Sequence, residues 1–184
     1  MTEHGARVAI LIEDGFDDDE LSGAVERLRA AGLQVTIVGP FAHRAYTGRR
    51  GRIVTSGMTA VAARKQLFDA IVIPGGYAPD RIRMRHAMLD LVREALTTGR
   101  TVGAIGHGAQ VLISADAVAG RTLTCWPSIA VDLKNAGGLY VDRPVVEDGG
   151  VITARKADDL AQFASAIVTA VARSRGADGI QSRP

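Results

Sequence analysis

Apolar residues in this chain fall into two kinds of stretch. Short dense runs, ended by glycine or proline, read as strands, and longer stretches with apolar positions three and four apart read as helices. Arg7-Val-Ala-Ile-Leu-Ile12 predicts a buried strand that stops at Glu13-Asp14-Gly15. The stretch from about Asp18 to Ala31 predicts a helix with Leu21, Ala24, Val25 and Leu28 on one face and Gly32 as its stop. Residues 34–38 predict a second strand, 69–73 a third that ends at Pro74-Gly75-Gly76, and 101–105 a fourth. The fourth breaks at Gly106-His107-Gly108 into a helix carrying Val111, Leu112 and Ala115. Between these lie a hairpin expected at the sheet edge within residues 41–60 and a helix over about 87–98, stopped at Gly99. Shorter β pieces are expected near 121–125 and 145–154, then a helix over about 157–172 that places Leu160, Phe163, Ala164, Ile167, Val168 and Val171 on one side.

The alternation of strands and helices predicts an α/β three-layer sandwich, with helices on both faces of a mostly parallel, doubly wound central sheet. One domain over residues 7–172 is expected, between an N-terminal tail (1–6) and a loose C-terminal tail (173–184). In such folds ligands bind beyond the carboxyl ends of the strands. That rule selects three loops, Glu13 to Glu20, Pro74 to Asp80 and Gly106 to Gln110, all leaving the same edge of the sheet.

The 184 residues suit a single core, and 47% apolar with 23% charged residues is a globular composition. The longest dense apolar run, Phe163 to Ala172, is half a membrane span. The first seven residues lack the basic end and apolar stretch of a secretion signal, so no membrane association and a cytoplasmic location are expected. The single cysteine, Cys125, excludes an internal disulfide and a multi-cysteine metal cage. A pI near 9.0 invites a nucleic-acid reading. The net charge is only +2 and aromatics are 4%. No nucleic-acid partner is therefore expected, and the basic cluster Arg49-Arg50-Gly51-Arg52 reads as a solvated loop.

Each selected loop offers chemistry. Gly15-Phe-Asp-Asp-Asp-Glu20 sets four carboxylates ahead of a helix, where most serve as caps and offset the helix dipole, while one could turn inward as a general base. Their spacing matches no calcium loop, and no metal is expected. Gly75-Gly76 forms a turn whose backbone N–H groups can face a ligand. Gly106-His107-Gly108 lies at a strand-to-helix elbow that exposes one residue above the sheet. Its glycine order, G-x-x-G-x-G from Gly103, is not the dinucleotide fingerprint, so no cofactor is expected.

Ala104-Ile-Gly-His-Gly-Ala-Gln-Val-Leu-Ile-Ser-Ala115 resembles the elbow of the PfpI (intracellular protease/glyoxalase-like) family, within the class I glutamine amidotransferase-like superfamily of flavodoxin-like folds. The likeness runs in order through Gly15-Phe16-Asp17-Asp18 with Glu20-Leu21, through Pro74-Gly-Gly-Tyr-Ala-Pro-Asp-Arg81, and through Cys125-Trp-Pro127 and Asn135-Ala-Gly137. The family elbow reads Ala-Ile-Cys-His-Gly with the cysteine as nucleophile, whereas Gly106 stands there in this chain. The resemblance places the family's acid beside that cysteine at Asp17, and at Asp80 the acid that a neighbouring subunit turns toward the elbow histidine. It also implies a homo-oligomer, a dimer or higher.

Without a thiol at position 106, the family's covalent route is closed. The expectation is then a cofactor-independent acid–base enzyme acting on a carbonyl-bearing small molecule by hydration, elimination, isomerisation or cyclisation. Asp17 would be the base, the N–H groups of Gly76 and His107 would hold an oxyanion, and His107, oriented by Asp80, would shuttle a proton. Gly75, Gly106, Glu20, Tyr77 and Trp126 would line the pocket. The alternative is a non-catalytic small-molecule-binding or regulatory protein that keeps the pocket without turnover.

Overall fold

The computed structural model describes the backbone of residues 5–181 and side chains to residue 177. In chain order the strands are β1 (Arg7–Leu11), β2 (Gln34–Gly39), β3 (Ala45–Thr47), β4 (Ile53–Thr55), β5 (Met58–Thr59), β6 (Ala70–Ile73), β7 (Thr101–Ile105), β8 (Thr122–Leu123), β9 (Leu139–Tyr140), β10 (Val145–Asp148) and β11 (Val151–Ala154). The helices are α1 (Asp18–Ala30), α2 (Ala60–Arg64), α3 (Ala78–Ile82), α4 (His86–Thr97), α5 (Ala109–Ser114), α6 (Ala130–Asn135) and α7 (Leu160–Gln181).

Seven strands form the central sheet in the order β10-β11-β7-β6-β1-β2-β5. Every pairing is parallel except β10 with β11. The strands covered on both faces are those that read as unbroken apolar runs, and every residue of β6, β7 and β11 is buried. From β1 the chain crosses through α1 to β2 on one side, and from β6 through α4 to β7 on the other. Right-handed crossovers in opposite directions put α1 and α4 on opposite faces, so the sheet is doubly wound. α7 returns beside α1 and packs on β7 and β11. The winding reverses between β1 and β6, which opens a crevice beyond their carboxyl ends. Registers such as Ile10↔Val72 and Val72↔Gly103 bring the exits of β1, β6 and β7 side by side there.

Two expectations change and one gains detail. The hairpin in residues 41–60 forms, with Ala45 opposite Thr55, but as a separate two-stranded sheet. Its hydrogen bonds go to the β1 exit, Gly15 N–H to the Thr47 carbonyl at 2.7 Å and Thr47 N–H to Asp14 Oδ1 at 2.8 Å. The edge of the central sheet is taken instead by β5. Residues 145–154 are two strands, joined at Gly149-Gly150, where both glycines have positive φ. The last helix continues to Gln181 through the stretch expected to be a loose tail, because extending an established helix adds one hydrogen bond per residue fixed. Residues 1–4 and 182–184 of the two expected tails, including His4, lie outside the described residues.

Candidate active site

The β1 exit begins with Glu13 and turns at Gly15 into α1. Asp17 is the N-cap of that helix, its Oδ1 accepting the Asp19 and Glu20 N–H groups, both at 3.1 Å. Its other oxygen lies 3.4 Å from the Arg49 guanidinium. A carboxylate that serves its own helix amides and an arginine is not free to face the elbow, and Asp17 is not the inward acid.

That place belongs to Glu20. It shares the inner face of α1 with Ala24 and Leu28, one turn and two turns on, and all three are buried. In a capping box a glutamate at this position reaches back to the cap residue's N–H. Here the Asp17 N–H is taken by the Gly75 carbonyl at 3.1 Å, and Glu20 reaches across to the Gly75 N–H with Oε2 at 2.7 Å. Burial, reinforced by the nearby Asp17 charge and opposed by the Gly75 hydrogen bond, pushes the Glu20 carboxyl up to about 7.

The β6 exit, Pro74-Gly75-Gly76, locks against the β1 exit through a single antiparallel bridge between Phe16 and Gly76. Gly76 has φ +83°, and a Cβ there would lie 2.5 Å from both the Asp17 nitrogen and the Gly15 oxygen, so only glycine permits this approach. The β7 exit turns at Gly106 with φ +60°, the strained elbow that the strand-to-helix junction predicted. A Cβ on Gly106 would come within 2.8 Å of Glu20 Oε1, so the Glu20 carboxylate borders the space a side chain at 106 would use. The turn and the elbow abut, since a Cβ on Gly75 would lie 3.0 Å from the His107 nitrogen. Among the described residues, neither the Gly76 nor the His107 N–H donates to another part of the chain.

His107 is half-buried, stacked against Trp126 with ring centroids 5.9 Å apart, and its Nε2 is 3.3 Å from Ser128 Oγ. Burial, with the Arg49 charge added, holds the imidazole below its ordinary range, which favours its neutral form. Trp126 N–H donates to the Gly106 carbonyl at 3.3 Å, which ties the Cys125-Trp126 segment to the elbow. Cys125 itself is fully buried, and burial pushes its thiol up to about 12, which leaves it inert as a nucleophile. Asp80 is exposed on α3 and makes no hydrogen bond or ion pair within the described chain. Tyr77 is exposed and carries the Arg49 guanidinium 4.6 Å above its ring.

The elbow, the glycine turn and the buried carboxylate thus meet at the winding reversal of the sheet. A family model described as DJ-1/PfpI matches residues 6–170. The chain belongs to the DJ-1/PfpI family. Within that family it is 41% identical to an uncharacterized protein of Archaeoglobus fulgidus, over 91% of this chain and 99% of that one. It is 36% identical to protein/nucleic acid deglycase 2 of Escherichia coli, over 85% of this chain and 92% of the deglycase. A two-domain crystal structure from Anabaena variabilis, with DJ-1/ThiJ/PfpI-like and ferritin-like domains, superposes with a TM-score of 0.86 at 40% identity. That match covers 89% of this chain, which spans 47% of the two-domain protein. No helix among the described residues of this DJ-1/PfpI chain is long and apolar enough to cross a membrane.

Two contributors to the site went unread in the sequence. Arg49, grouped there with a solvated basic loop, overhangs the site, and its charge acts on both Glu20 and His107. Ser128 approaches His107 from a segment about twenty residues further along the chain, a proximity that no local pattern announces.

Proposed function

We propose that this chain is a cofactor-independent acid–base enzyme for a carbonyl-bearing small molecule, with Gly106 in the seat that the family fills with its nucleophilic cysteine. The observation that carries the reading is the Glu20 carboxylate, fixed by the Gly75 N–H at 2.7 Å, with its other oxygen against the Gly106 seat. Glu20 takes the role first given to Asp17. A carboxylate that titrates near neutrality accepts and returns a proton with nearly equal ease. It removes a proton from water or from a carbon beside the carbonyl. The charge that develops on the carbonyl oxygen is met by the Gly76 and His107 N–H groups, and the neutral His107 relays the proton that Glu20 has taken to that oxygen, ending neutral as it began. Hydration, elimination, isomerisation and cyclisation all fit this transfer, in which nothing is oxidised or reduced. The proposal includes self-association, with Asp80 of a second copy directed at His107.

The test is turnover of a panel of small aldehydes and ketones across pH. The expected kcat/KM rises as pH passes about 7 and Glu20 ionises. Glu20→Gln should remove that limb and about a hundredfold or more of the rate. Retention of the limb in Glu20→Gln would remove Glu20 from the mechanism. Saturable binding with no turnover in the wild type would favour the non-catalytic binding alternative.

A further inference from the structure

Arg49 is built into its position rather than left on a loose loop. The chain from Gly48 to Arg52 closes on itself through Gly48 N–H to the Arg52 carbonyl at 2.8 Å, and Gly51 N–H to the Gly48 carbonyl at 3.0 Å. The buried Asp18 carboxylate holds this turn from below, accepting the Arg50 N–H at 2.9 Å and the Arg52 N–H at 3.0 Å. A Cβ on Gly48 would lie 2.7 Å from that carboxylate, so the contact is close packed. Arg49 N–H donates to the Phe16 carbonyl at 2.9 Å, which binds the turn to the β1 exit.

The Arg49 side chain then lies over the Tyr77 ring and reaches Asp17 at 3.4 Å, a long contact to a carboxylate already committed to capping. Its neighbour Arg50 pairs with Asp19. These five residues, with Ala157, line an open cleft of about 330 Å³, and Tyr77 in its wall directly follows the Gly75-Gly76 turn. We infer that Arg49 is an anion anchor, and that the substrate bears a carboxylate beside its carbonyl group. This rests on the acid–base reading of the same site. A guanidinium whose carbon sits over a ring still offers the N–H fork that matches a planar carboxylate in two parallel hydrogen bonds. Asp17 and Asp19 on the rim disfavour a doubly charged phosphate more than a singly charged carboxylate. Asp17 acts as the resident competitor that an incoming carboxylate displaces from Arg49.

Trp126 is the only tryptophan and stacks on His107, on which the Arg49 charge acts, so its fluorescence reports on the site. We would titrate the full chain with pyruvate, with acetone and with inorganic phosphate. Pyruvate is expected to saturate, with acetone and phosphate each about tenfold weaker or more. Arg49→Gln should weaken pyruvate about tenfold or more, and Arg49→Lys less, since it restores charge without the fork. Asp17→Asn, which keeps a capping side chain, should tighten pyruvate several-fold by removing the competitor. Acetone or phosphate binding as tightly as pyruvate, or Arg49→Gln and Asp17→Asn both without effect, would overturn the anchor, as would no pyruvate binding at all. Unchanged far-ultraviolet circular dichroism in the variants separates these results from misfolding. Pyruvate binding that needs Arg49 in a protein without turnover would sink the acid–base reading and leave the anchor standing.

Discussion

Glu20 gives up stability for position. The unfolded chain releases this proton near the ordinary value of 4.5, while the folded protein holds it to about 7. A raised carboxyl contributes stability that is complete below pH 4.5 and is lost as pH climbs through about 7. Above that range the buried, ionised side chain costs about 3 kcal/mol. Glutamine is nearly isosteric, accepts the Gly75 N–H and carries no charge. Urea unfolding of Glu20→Gln should therefore show a gain of about 3 kcal/mol at pH 8 and little change at pH 4. An equal gain at both pH values would mean that ionisation is not the source. Activity and stability should move in opposite directions in this one substitution, as they do where a site is kept strained for use.

At the scale of elements, the carboxylates at the head of α1 divide their work by helix geometry. Asp17 caps the helix, Asp18 leaves it to hold the 48–52 turn, Asp19 meets Arg50 at the surface, and Glu20 enters the site. Successive residues on a helix point about 100° apart, so one short acidic run serves four surroundings. The two structural members should differ in cost. Asp17→Ala removes a cap worth about 1 kcal/mol. Asp18→Ala strands the Arg50 and Arg52 N–H groups beside a buried site and should cost about 2 kcal/mol or more, measured by denaturant unfolding. It should also weaken pyruvate capture, because the turn that carries Arg49 loses its support. If the turn held its shape by its own backbone bonds, Asp18→Ala would destabilise the fold and leave capture unchanged.

Across the whole molecule, the sheet brings together at one end groups that are far apart in the chain, and a second copy would complete what one chain leaves open. Asp80 is exposed with no partner of its own in the described chain, while His107 faces Ser128 and Trp126. On the proposed arrangement, sedimentation should show a dimer or larger assembly, and Asp80→Asn should alter the pH dependence of turnover without altering the fold. A monomer at all concentrations would leave Asp80 with no role at His107.

The strands, their parallel crossovers and the three exits that form the site were legible in the sequence, because buried strands must be apolar throughout and tight exits require glycine. Gly76 and Gly106 were found for that reason, and both have the positive φ that the turn and the elbow demand. The inward acid was legible in principle, since Glu20 falls on the apolar stripe with Ala24 and Leu28, but the position of Asp17 just ahead of the helix masked it. The departure of the 41–60 hairpin from the sheet edge, Arg49 over Tyr77 and Ser128 beside His107 were decided only by the tertiary structure. Periodicity records which way a residue faces within its own element. Which element it then meets depends on hydrogen bonds and burial between segments distant in the chain, and these are satisfied only once the sheet has closed its order.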